Sequence, residues 1–404
     1  MEPSNSVIAR LGVAQTVAWG STYYLPAMLA TPMAKDLGVS TPTIFAAFSV
    51  ALVVSALLGP TAGRLIDRTG GLDRTGGRSV LVATSLVFAI GLAGLGLAQG
   101  AVGLFAAWVI LGIGMGAGLY EAAFATLVAL YGNRSRGAIT GITLIAGFAS
   151  TVGWPLSTFM EAHIGWRGAC LSWAALHLTL GLALNLSMPQ VAAKATASSK
   201  ATSLTGADLT HPADEHSQRR ASYALAFVFA ATWFISTAMT AHLPRLLQAG
   251  GASLATAVMV GALLGPAQVG ARMLEFGLLR KVHPLLSARI AATLHPTGAL
   301  AFGLIGAPAA VLFGVLHGAG NGILTIAKGT LPLVIFGPGG YGHRQGILMV
   351  PARVAQAIAG MLLDSLGSTA LWISSSLGIA SILTLFLLHG DMRTAPDVNH
   401  RDSC

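Results

Sequence analysis

Long uninterrupted apolar runs constrain the fold of this 404-residue chain more than any other feature of its sequence. Twelve such runs occur, and a helix needs about 20 apolar residues to cross the hydrocarbon core of a bilayer. A transmembrane β-strand would instead show about ten residues of alternating character. We therefore predict an all-α membrane protein with twelve transmembrane helices. The predicted spans are 7–30, 41–63, 79–98, 101–131, 138–160, 168–188, 222–248, 254–278, 285–306, 308–336, 344–366 and 369–389.

The composition excludes the other broad classes of protein. Hydrophobic residues make up 54% of the chain and charged residues only 9%, whereas soluble domains carry about 25% charged residues. Disorder is excluded as well, because it requires low hydrophobicity and high net charge. The sequence contains no zinc-protease, nucleophile-elbow or phosphate-loop motif. It therefore predicts neither an enzyme nor an ATP-driven pump, and it predicts no cofactor and no metal site.

The basic residues cluster on one side of the predicted membrane. The formal net charge is +9. With a cytoplasmic N-terminus, fifteen Lys and Arg residues fall in cytoplasmic segments, and only Lys35, Arg167 and Arg245 fall outside. This is the positive-inside pattern, so the basic balance indicates topology and not nucleic-acid binding. Short loops and heavy use of Ala, Gly and Arg favour a bacterial inner membrane, with both termini in the cytoplasm.

One long polar segment divides the chain into two sets of six predicted spans. Its Ser, Thr, Ala, Asp and His residues are typical of a flexible linker. We therefore predict an N-terminal six-helix bundle over 1–189, a cytoplasmic linker over 190–220, a C-terminal six-helix bundle over 221–390 and a cytoplasmic tail over 391–404.

Short matches between the two halves indicate a duplicated six-helix unit. The pentapeptide Ala56–Pro60 recurs as Ala262–Pro266, near the ends of the second and eighth predicted spans. An Arg-x-x-acid group follows each copy, at Arg64–Asp67 and Arg272–Glu275. Transporters commonly contain such repeats and bind their substrate where the repeats meet, near the membrane midplane.

Two loops carry a family resemblance. Gly63–Gly70, which reads GRLIDRTG, resembles the signature loop of the major facilitator superfamily, and Gly165–Arg167 is similar to that family's short loop before its sixth helix. The resemblance implies two pseudo-symmetric six-helix bundles around a central cavity that opens alternately to either side of the membrane. It also implies a functional monomer.

An aspartate beside arginines at helix ends can latch one face of such a protein through charge-assisted bonds. The motif is doubled here, because the six-residue unit that starts at Asp67 is repeated at Asp73. We expect Asp67 to act, since it keeps the family spacing from Gly63 and Leu65. The predicted cytoplasmic gate consists of Gly63, Arg64, Asp67, Arg68, Arg272 and Glu275. For Arg272, direct contact with substrate is the alternative.

Three charged residues, Glu121, Lys328 and Arg353, fall well inside predicted spans. A charge at the centre of a transmembrane helix costs about 2.5–3.5 kcal/mol on insertion scales, so such residues usually face a cavity or a partner. Because a carboxylate in such a place can take up and release protons, we interpret Glu121 as the proton-coupling residue. The alternative is a permanent ion pair with Lys328 or Arg353. The two roles are compatible if the pair breaks during transport.

Two cations against one central acid favour an anionic substrate, and Arg can grip a carboxylate through two parallel bonds. The family resemblance places the first, fourth, seventh and tenth helices around the cavity, and polar stripes on these spans agree with it. The predicted substrate-binding residues are Lys328, Arg353, Asn321, Gln356, Gln15, Trp19, Tyr23 and Trp233. Ordinary hydrogen bonding between helices is the alternative for each polar member of this set.

These observations predict a secondary active transporter that moves a small solute, an organic anion, by alternating access with proton coupling. A proton-antiport efflux pump for a drug or a metalloid is an alternative within the same class. A transporter-like solute sensor without net transport is the alternative from another class. The expected partners are the small-molecule substrate, protons and the lipid bilayer.

Overall fold

The computed structural model describes residues 3–68, 76–189, 212–278, 282–362 and 369–388. Within these segments the regular structure is helical and no residue lies in a strand, which confirms the all-α prediction. The helices of the first half are α1 (Asn5–Ser21), α2 (Leu25–Leu37), α3 (Thr41–Asp67), α4 (Gly77–Gly96), α5 (Gly100–Gly118), α6 (Tyr120–Tyr131), α7 (Arg136–Ala146), α8 (Ala149–Leu176) and α9 (Leu182–Leu186). Those of the second half are α10 (Pro212–Ala249), α11 (Leu254–Gly277), α12 (Pro284–Ile305), α13 (Ala310–Phe336), α14 (Tyr341–Leu362) and α15 (Thr369–Leu387).

Several predicted spans consist of two helices joined by a short break. The first span is α1 and α2, which are separated at Thr22–Tyr24, and the fourth is α5 and α6, which are separated at Leu119. The fifth starts as α7 and continues into α8. The chain then changes direction within α8 at Gly165, whose φ of 70° lies in the left-handed region that glycine tolerates. Residues beyond this kink form the predicted sixth span.

Length and hydropathy alone identify six described helical segments that can cross a membrane. They are Thr41–Asp67, Gly77–Gly96, Gly100–Leu186, His216–Met239, Leu254–Gly277 and Ala307–Phe336. The longest of them has 87 residues and covers three predicted spans. Helix α14, which carries Arg353 inside the protein, is not in this set.

The predicted duplication has a structural counterpart at the start of α3 and α11. The Thr43 amide donates to Ser40 Oγ at 3.3 Å, and the Thr256 amide donates to Ser253 Oγ at 3.1 Å. A serine that accepts a bond from an amide near the start of a helix is a favoured cap. Each cap begins the helix that bears one copy of the Ala-Leu-Leu-Gly-Pro repeat, so the match between the halves extends from sequence to backbone.

The boundary of the central linker differs from the expectation. Helix α10 begins at Pro212, so residues 212–220 are helical although the predicted linker runs to 220. Polarity marked this stretch as linker, but Ala, Glu, Gln and Arg are also good helix formers. The rest of the linker, 190–211, and the tail 391–404 lie outside the described residues.

The two halves meet along two lines. On the first line α3 packs along α14, and on the second α7 contacts α11 and α13. Helix α6 of the first half also contacts α14 of the second. These contacts bring the charged residues of both halves into the same region of the molecule.

Candidate functional site

Glu121 and Arg353 form an ion pair between the two halves. Arg353 Nη2 donates to both oxygens of the Glu121 carboxylate, at 3.1 and 3.0 Å. The exposed fractions of these side chains are 3% for Arg353 and 15% for Glu121. Of the two partners that the sequence left open for Glu121, the structure therefore selects Arg353. The pair joins α6 to α14 inside the protein.

Arg353 also organises the polar residues on its own side. Its Nη1 donates to Gln356 Oε1 at 3.1 Å, and Gln356 Nε2 donates to the Tyr23 hydroxyl at 3.2 Å. Tyr23 lies in the break between α1 and α2. A chain of polar contacts thus runs from α6 through α14 to the first predicted span, and it includes three of the residues that the sequence assigned to substrate binding.

Lys328, on α13, is held in a different way. Its Nζ lies 3.9 Å from the centre of the Trp233 ring, a cation–π contact. Among the described residues this Nζ has no hydrogen-bond partner, and no carboxylate lies within the 4.0 Å of a salt bridge. Lys328 is only 4% exposed, so its amino group is buried against an aromatic face without a neutralising carboxylate.

Two indoles, one from each half, stack beside these charges. The rings of Trp19 and Trp233 are 6.0 Å apart and inclined by 5°. Arg353 Cζ lies 5.8 Å from the Trp19 ring and 5.5 Å from the Trp233 ring. The indole pair therefore borders both Lys328 and Arg353.

A cavity of about 900 Å³ lies between α8 and α11, and we call it the α8–α11 cleft. Four of the predicted substrate-binding residues line it: Trp19, Tyr23, Trp233 and Asn321. Four others do not: Gln15, Lys328, Arg353 and Gln356. Gln15 Nε2 donates instead to the Gly118 carbonyl oxygen at 2.7 Å, which ties α1 to the end of α5. Substrate contact by these last four residues stays a prediction.

The cation in the wall of the cleft is Arg272, which the sequence assigned to the gate. Arg272 Nη1 donates to the Thr143 carbonyl oxygen at 3.0 Å, and Nε donates to the Gly322 carbonyl oxygen at 3.4 Å. The first bond crosses to the N-terminal half. Arg272 therefore both connects the halves and faces the cleft, so the two readings of this residue are compatible.

Sequence reasoning did not assign four of the aromatic residues that line the cleft to substrate binding: Tyr24, Tyr120, Trp154 and Phe159. Tyr120 follows the break at Leu119, and its ring lies 4.9 Å from that of Trp19. Trp154 lies on α8, and its ring lies 6.1 Å from that of Tyr24. The available signal was the Gly- and Pro-containing stretch 147–155 of the fifth span, several residues of which line the cleft.

At the end assigned to the cytoplasm, the halves are joined along what we call the α3–α14 seam, formed by Gly59, Pro60 and Gly63 with Gly342, His343 and Gly346. Asp67 accepts hydrogen bonds from two backbone amides at the start of α14. The Gly342 amide is 2.9 Å from Oδ1, and the His343 amide is 2.7 Å from Oδ2. A carboxylate at a helix N-terminus is also favoured by the helix dipole.

Glycines allow the two backbones of this seam to touch. A Cβ on Gly63 would overlap the Gly342 carbonyl group, and a Cβ on Gly346 would lie 2.6 Å from the Gly59 carbonyl oxygen. The other two residues of the first gate motif are exposed: Arg64 donates to Thr61 Oγ1 at 3.3 Å, and Arg68 directly follows the last residue of α3. Asp73, in the second copy of the motif, lies outside the described residues.

The acidic residue of the second gate motif, Glu275, makes a looser contact between the halves than Asp67 does. Glu275 of α11 lies 3.9 Å from Arg136 Nη2 at the start of α7, and this nitrogen also donates to the Val282 carbonyl oxygen at 2.7 Å. Partial burial lowers the pKa of Arg136, and the Glu275 carboxylate opposes that shift. The other carboxylate oxygen of Glu275 has no partner among the described residues.

Two helical halves that enclose a cavity and a buried ion pair are the architecture of a membrane transporter. The model of the Major Facilitator Superfamily matches residues 11–350, and the chain belongs to this superfamily. Membership confirms the predicted resemblance and the twelve-helix fold. It also identifies the chain as a multi-pass membrane protein of a transporter family and not of an enzyme family.

Solved structures with the same fold are similar to the chain over nearly its whole length. The proton:xylose symporter XylE bound to 6-bromo-6-deoxy-D-glucose has a TM-score of 0.69 at 15% identity, over 95% of this chain and 94% of that one. The human organic anion transporter MFSD10 (TETRAN) has a TM-score of 0.66 at 18% identity, over 95% and 100%. At these identities the similarity concerns the fold alone. No curated protein matches the chain in sequence.

Proposed function

We propose that this transporter moves a small organic anion by alternating access, in company with protons, and that Glu121 carries the proton. The observation that carries the proposal is the buried group of Glu121, Arg353 and Lys328 where the halves meet. It contains two cations and one carboxylate. Lys328 has no carboxylate partner among the described residues, so an anionic solute would stabilise its charged form and complete the group.

The ion pair between Glu121 and Arg353 provides a route for proton coupling. When Glu121 is ionised, the pair joins α6 of one half to α14 of the other. Protonation of Glu121 removes its charge, so Arg353 loses its partner and becomes available to an anion. Only a group that interacts differently in two states can shift the equilibrium between them. A proton on Glu121 meets that requirement, because it changes a bond between the halves.

The α3–α14 seam supports a proposal about the side of the membrane to which this conformation is open. With the basic segments in the cytoplasm, the seam closes the cytoplasmic end, and the α8–α11 cleft offers access from the other side. We propose a location in the inner membrane with both termini in the cytoplasm, and function as a monomer. Two proteins of the same fold, a proton symporter and an organic anion transporter, are consistent with this proposal.

The test uses purified protein in liposomes that contain a trapped pH dye. A panel of small organic anions, cationic drugs and metalloids is added to the native protein, to Glu121→Gln and to Glu161→Gln. Glu161 is a matched control because it also lies on a membrane helix but does not line the cleft. We expect at least one anion to move protons through the native protein and the control, and none through Glu121→Gln.

Three results would count against parts of this proposal. Equal proton movement in Glu121→Gln would leave Glu121 with a structural role only. Movement of an anion without any proton signal would indicate a uniporter or an anion exchanger. Proton movement driven only by cationic drugs or metalloids would favour the efflux pump over the anion transporter.

A further inference from the structure

We propose that the α8–α11 cleft contains an anion site centred on Arg272, and that its ligand is an aromatic monocarboxylate. This inference rests on the proposed function, because it names the class of anion that is moved. It assigns to Arg272 a contact with the ligand in addition to its bond between the halves. Three observations lead to it: the charge of Arg272, the hydrogen-bond donors around the cleft, and the rings in its wall.

The guanidinium of Arg272 is buried without an anionic partner. The residue is 5% exposed. Its three acceptors are neutral: the Thr143 and Gly322 carbonyl oxygens, and Gln268 Oε1 at 3.5 Å. Among the residues that the structure describes, no carboxylate lies within 4.0 Å of it. Because a guanidinium has five N–H donors, at least two remain for a ligand, and an anion would neutralise the charge.

The residues that line the cleft with Arg272 include several hydrogen-bond donors. The indole N–H groups of Trp19, Trp154 and Trp233 are buried and have no acceptor among the described residues. All three residues line the cleft, and the described residues that line it include no Asp or Glu. A carboxylate has only acceptor sites, so it complements this set of donors better than an amine or a neutral alcohol does.

The wall of the cleft that contains Arg272 is also rich in aromatic rings. Trp19 stacks on Trp233, Tyr120 packs against Trp19, and Trp154 packs edge-on against Tyr24. Rings of this kind prefer to pack against other rings, so a planar aromatic body fits here. One guanidinium matches one carboxylate, which favours a monoanion. The volume of about 900 Å³ leaves room for such a molecule.

Arg353 and Lys328 are less suited to receive a ligand that enters the cleft. Neither residue lines it, both lie against the indole pair, and Glu121 already neutralises Arg353. Arg272 is therefore the arginine that an anion in the cleft meets in this state. The two cations next to the indoles become accessible only if those rings separate.

Binding is measured in detergent by quenching of tryptophan fluorescence, with benzoate and with its neutral analogue benzamide. We expect the native protein to bind benzoate more tightly than benzamide. Arg272→Gln should weaken benzoate binding about tenfold or more and leave benzamide binding unchanged. Arg289→Gln is the matched control, because Arg289 also donates to a backbone carbonyl, that of Leu385, but does not line the cleft.

A conservative variant keeps the test decisive if Arg272→Gln does not fold. Arg272→Lys retains the charge but loses the paired geometry, so it should bind benzoate with intermediate affinity. Unchanged benzoate binding in both variants would overturn the site. Benzamide binding as tight as that of benzoate would overturn the anionic ligand, and acetate binding as tight would overturn the aromatic one.

This assay needs neither a membrane nor a proton gradient, so its outcome is separate from that of the transport assay. If benzoate binding depends on Arg272 but no solute moves protons, the anion site is supported and the proton-coupled function is contradicted. If another anion moves protons but benzoate does not bind, the proton-coupled function is supported and the site for an aromatic monocarboxylate is contradicted.

Discussion

The halves meet along two lines, and the α8–α11 cleft continues the second of them beyond the contacts of α7 with α11 and α13. The α3–α14 seam and this cleft are packed in opposite ways. In the α3–α14 seam, glycines on both helices bring backbone against backbone, and Asp67 bonds two amides of α14. In the α8–α11 cleft, Gly261 and Gly265 of α11 have no neighbour among the described residues within 4 Å of the place where a Cβ would lie. Glycine therefore permits close backbone contact in the seam, whereas in the cleft it borders open space.

This difference matters because the helices concerned are related by the internal repeat. Gly265 corresponds to Gly59 in the Ala-Leu-Leu-Gly-Pro repeat, and Gly59 faces Gly346 of α14. In a protein with two similar halves, helices of similar sequence can be packed tightly on one line and separated by a cavity on the other. We expect the small residues of α11 to permit close approach of α8 in the other state of the cycle.

The largest effect is expected from a methyl group inside the closed seam. In Gly63→Ala, the new Cβ meets the backbone of Gly342, which cannot turn aside as a side chain can. We expect the free energy of unfolding to fall by about 1–3 kcal/mol, with loss of most transport. Thermal unfolding in detergent measures the loss of stability, and proton movement in liposomes measures the loss of transport.

The control for that change is Gly265→Ala, at an open position of α11. Replacing Gly by Ala within a helix stabilises it by about 0.5–1 kcal/mol when the space is free, so the melting temperature should stay the same or rise. Equal losses of stability in Gly63→Ala and Gly265→Ala would show that the two lines do not differ in packing.

A smaller effect is expected from Asp67→Asn. The amide keeps one acceptor oxygen but loses the negative charge and one of the two bonds to α14. We expect the latch to weaken by about 1–2 kcal/mol. That corresponds to roughly 5–30-fold faster hydrogen exchange of the Gly342 and His343 amides, as measured by mass spectrometry.

The exposed Arg64 serves as the control for Asp67, because it lies in the same motif and its hydrogen bond among the described residues goes to Thr61, on its own helix. Arg64→Gln should leave exchange of the two amides unchanged. If Asp67→Asn also leaves it unchanged, the carboxylate does not hold the seam.

The smallest effect is expected from Glu275→Gln, at the looser contact. The pair with Arg136 is 3.9 Å long, and the other carboxylate oxygen of Glu275 has no hydrogen-bond partner in the part of the chain that the structure describes. Arg136 is 25% exposed and Glu275 only 6%, but the contact lies close to the 4.0 Å limit of a salt bridge. We therefore expect it to contribute about 0.2–1 kcal/mol, so the free energy of unfolding should change by less than it does in Asp67→Asn. A loss as large as that of Asp67→Asn would make the two latches equivalent.

The comparison also shows what a sequence with an internal repeat can and cannot predict. The Arg-x-x-acid match led to the same gate role for Arg64 and Arg272, but Arg64 is exposed whereas Arg272 is 5% exposed and lines the cleft. A repeat preserves position along the chain. Whether a position is buried depends on the helix that faces it, and the two lines of contact differ in that respect.

Helix periodicity predicts which residues share a face of one helix, but it does not predict which other helix that face contacts. Spacing places His317, Asn321 and Lys328 on one face of α13. The structure puts the first two in the wall of the cleft and the third against the indole pair. Likewise, the rarity of a buried charge showed that Glu121 needs a partner, but only the contact of α6 with α14 identifies Arg353. How deeply a residue is buried, and which residue it contacts on another helix, depend on tertiary packing, which a local sequence pattern does not contain.

The bond between Glu121 and Arg353 has a consequence for how the protein is made. The two residues are 232 positions apart in the chain. At a synthesis rate of about 5–20 residues per second, Glu121 is made about 10–50 s before Arg353. The first half must therefore enter the bilayer with this carboxylate lacking its arginine. Assembly of the membrane protein is complete only when the second half supplies the missing charge.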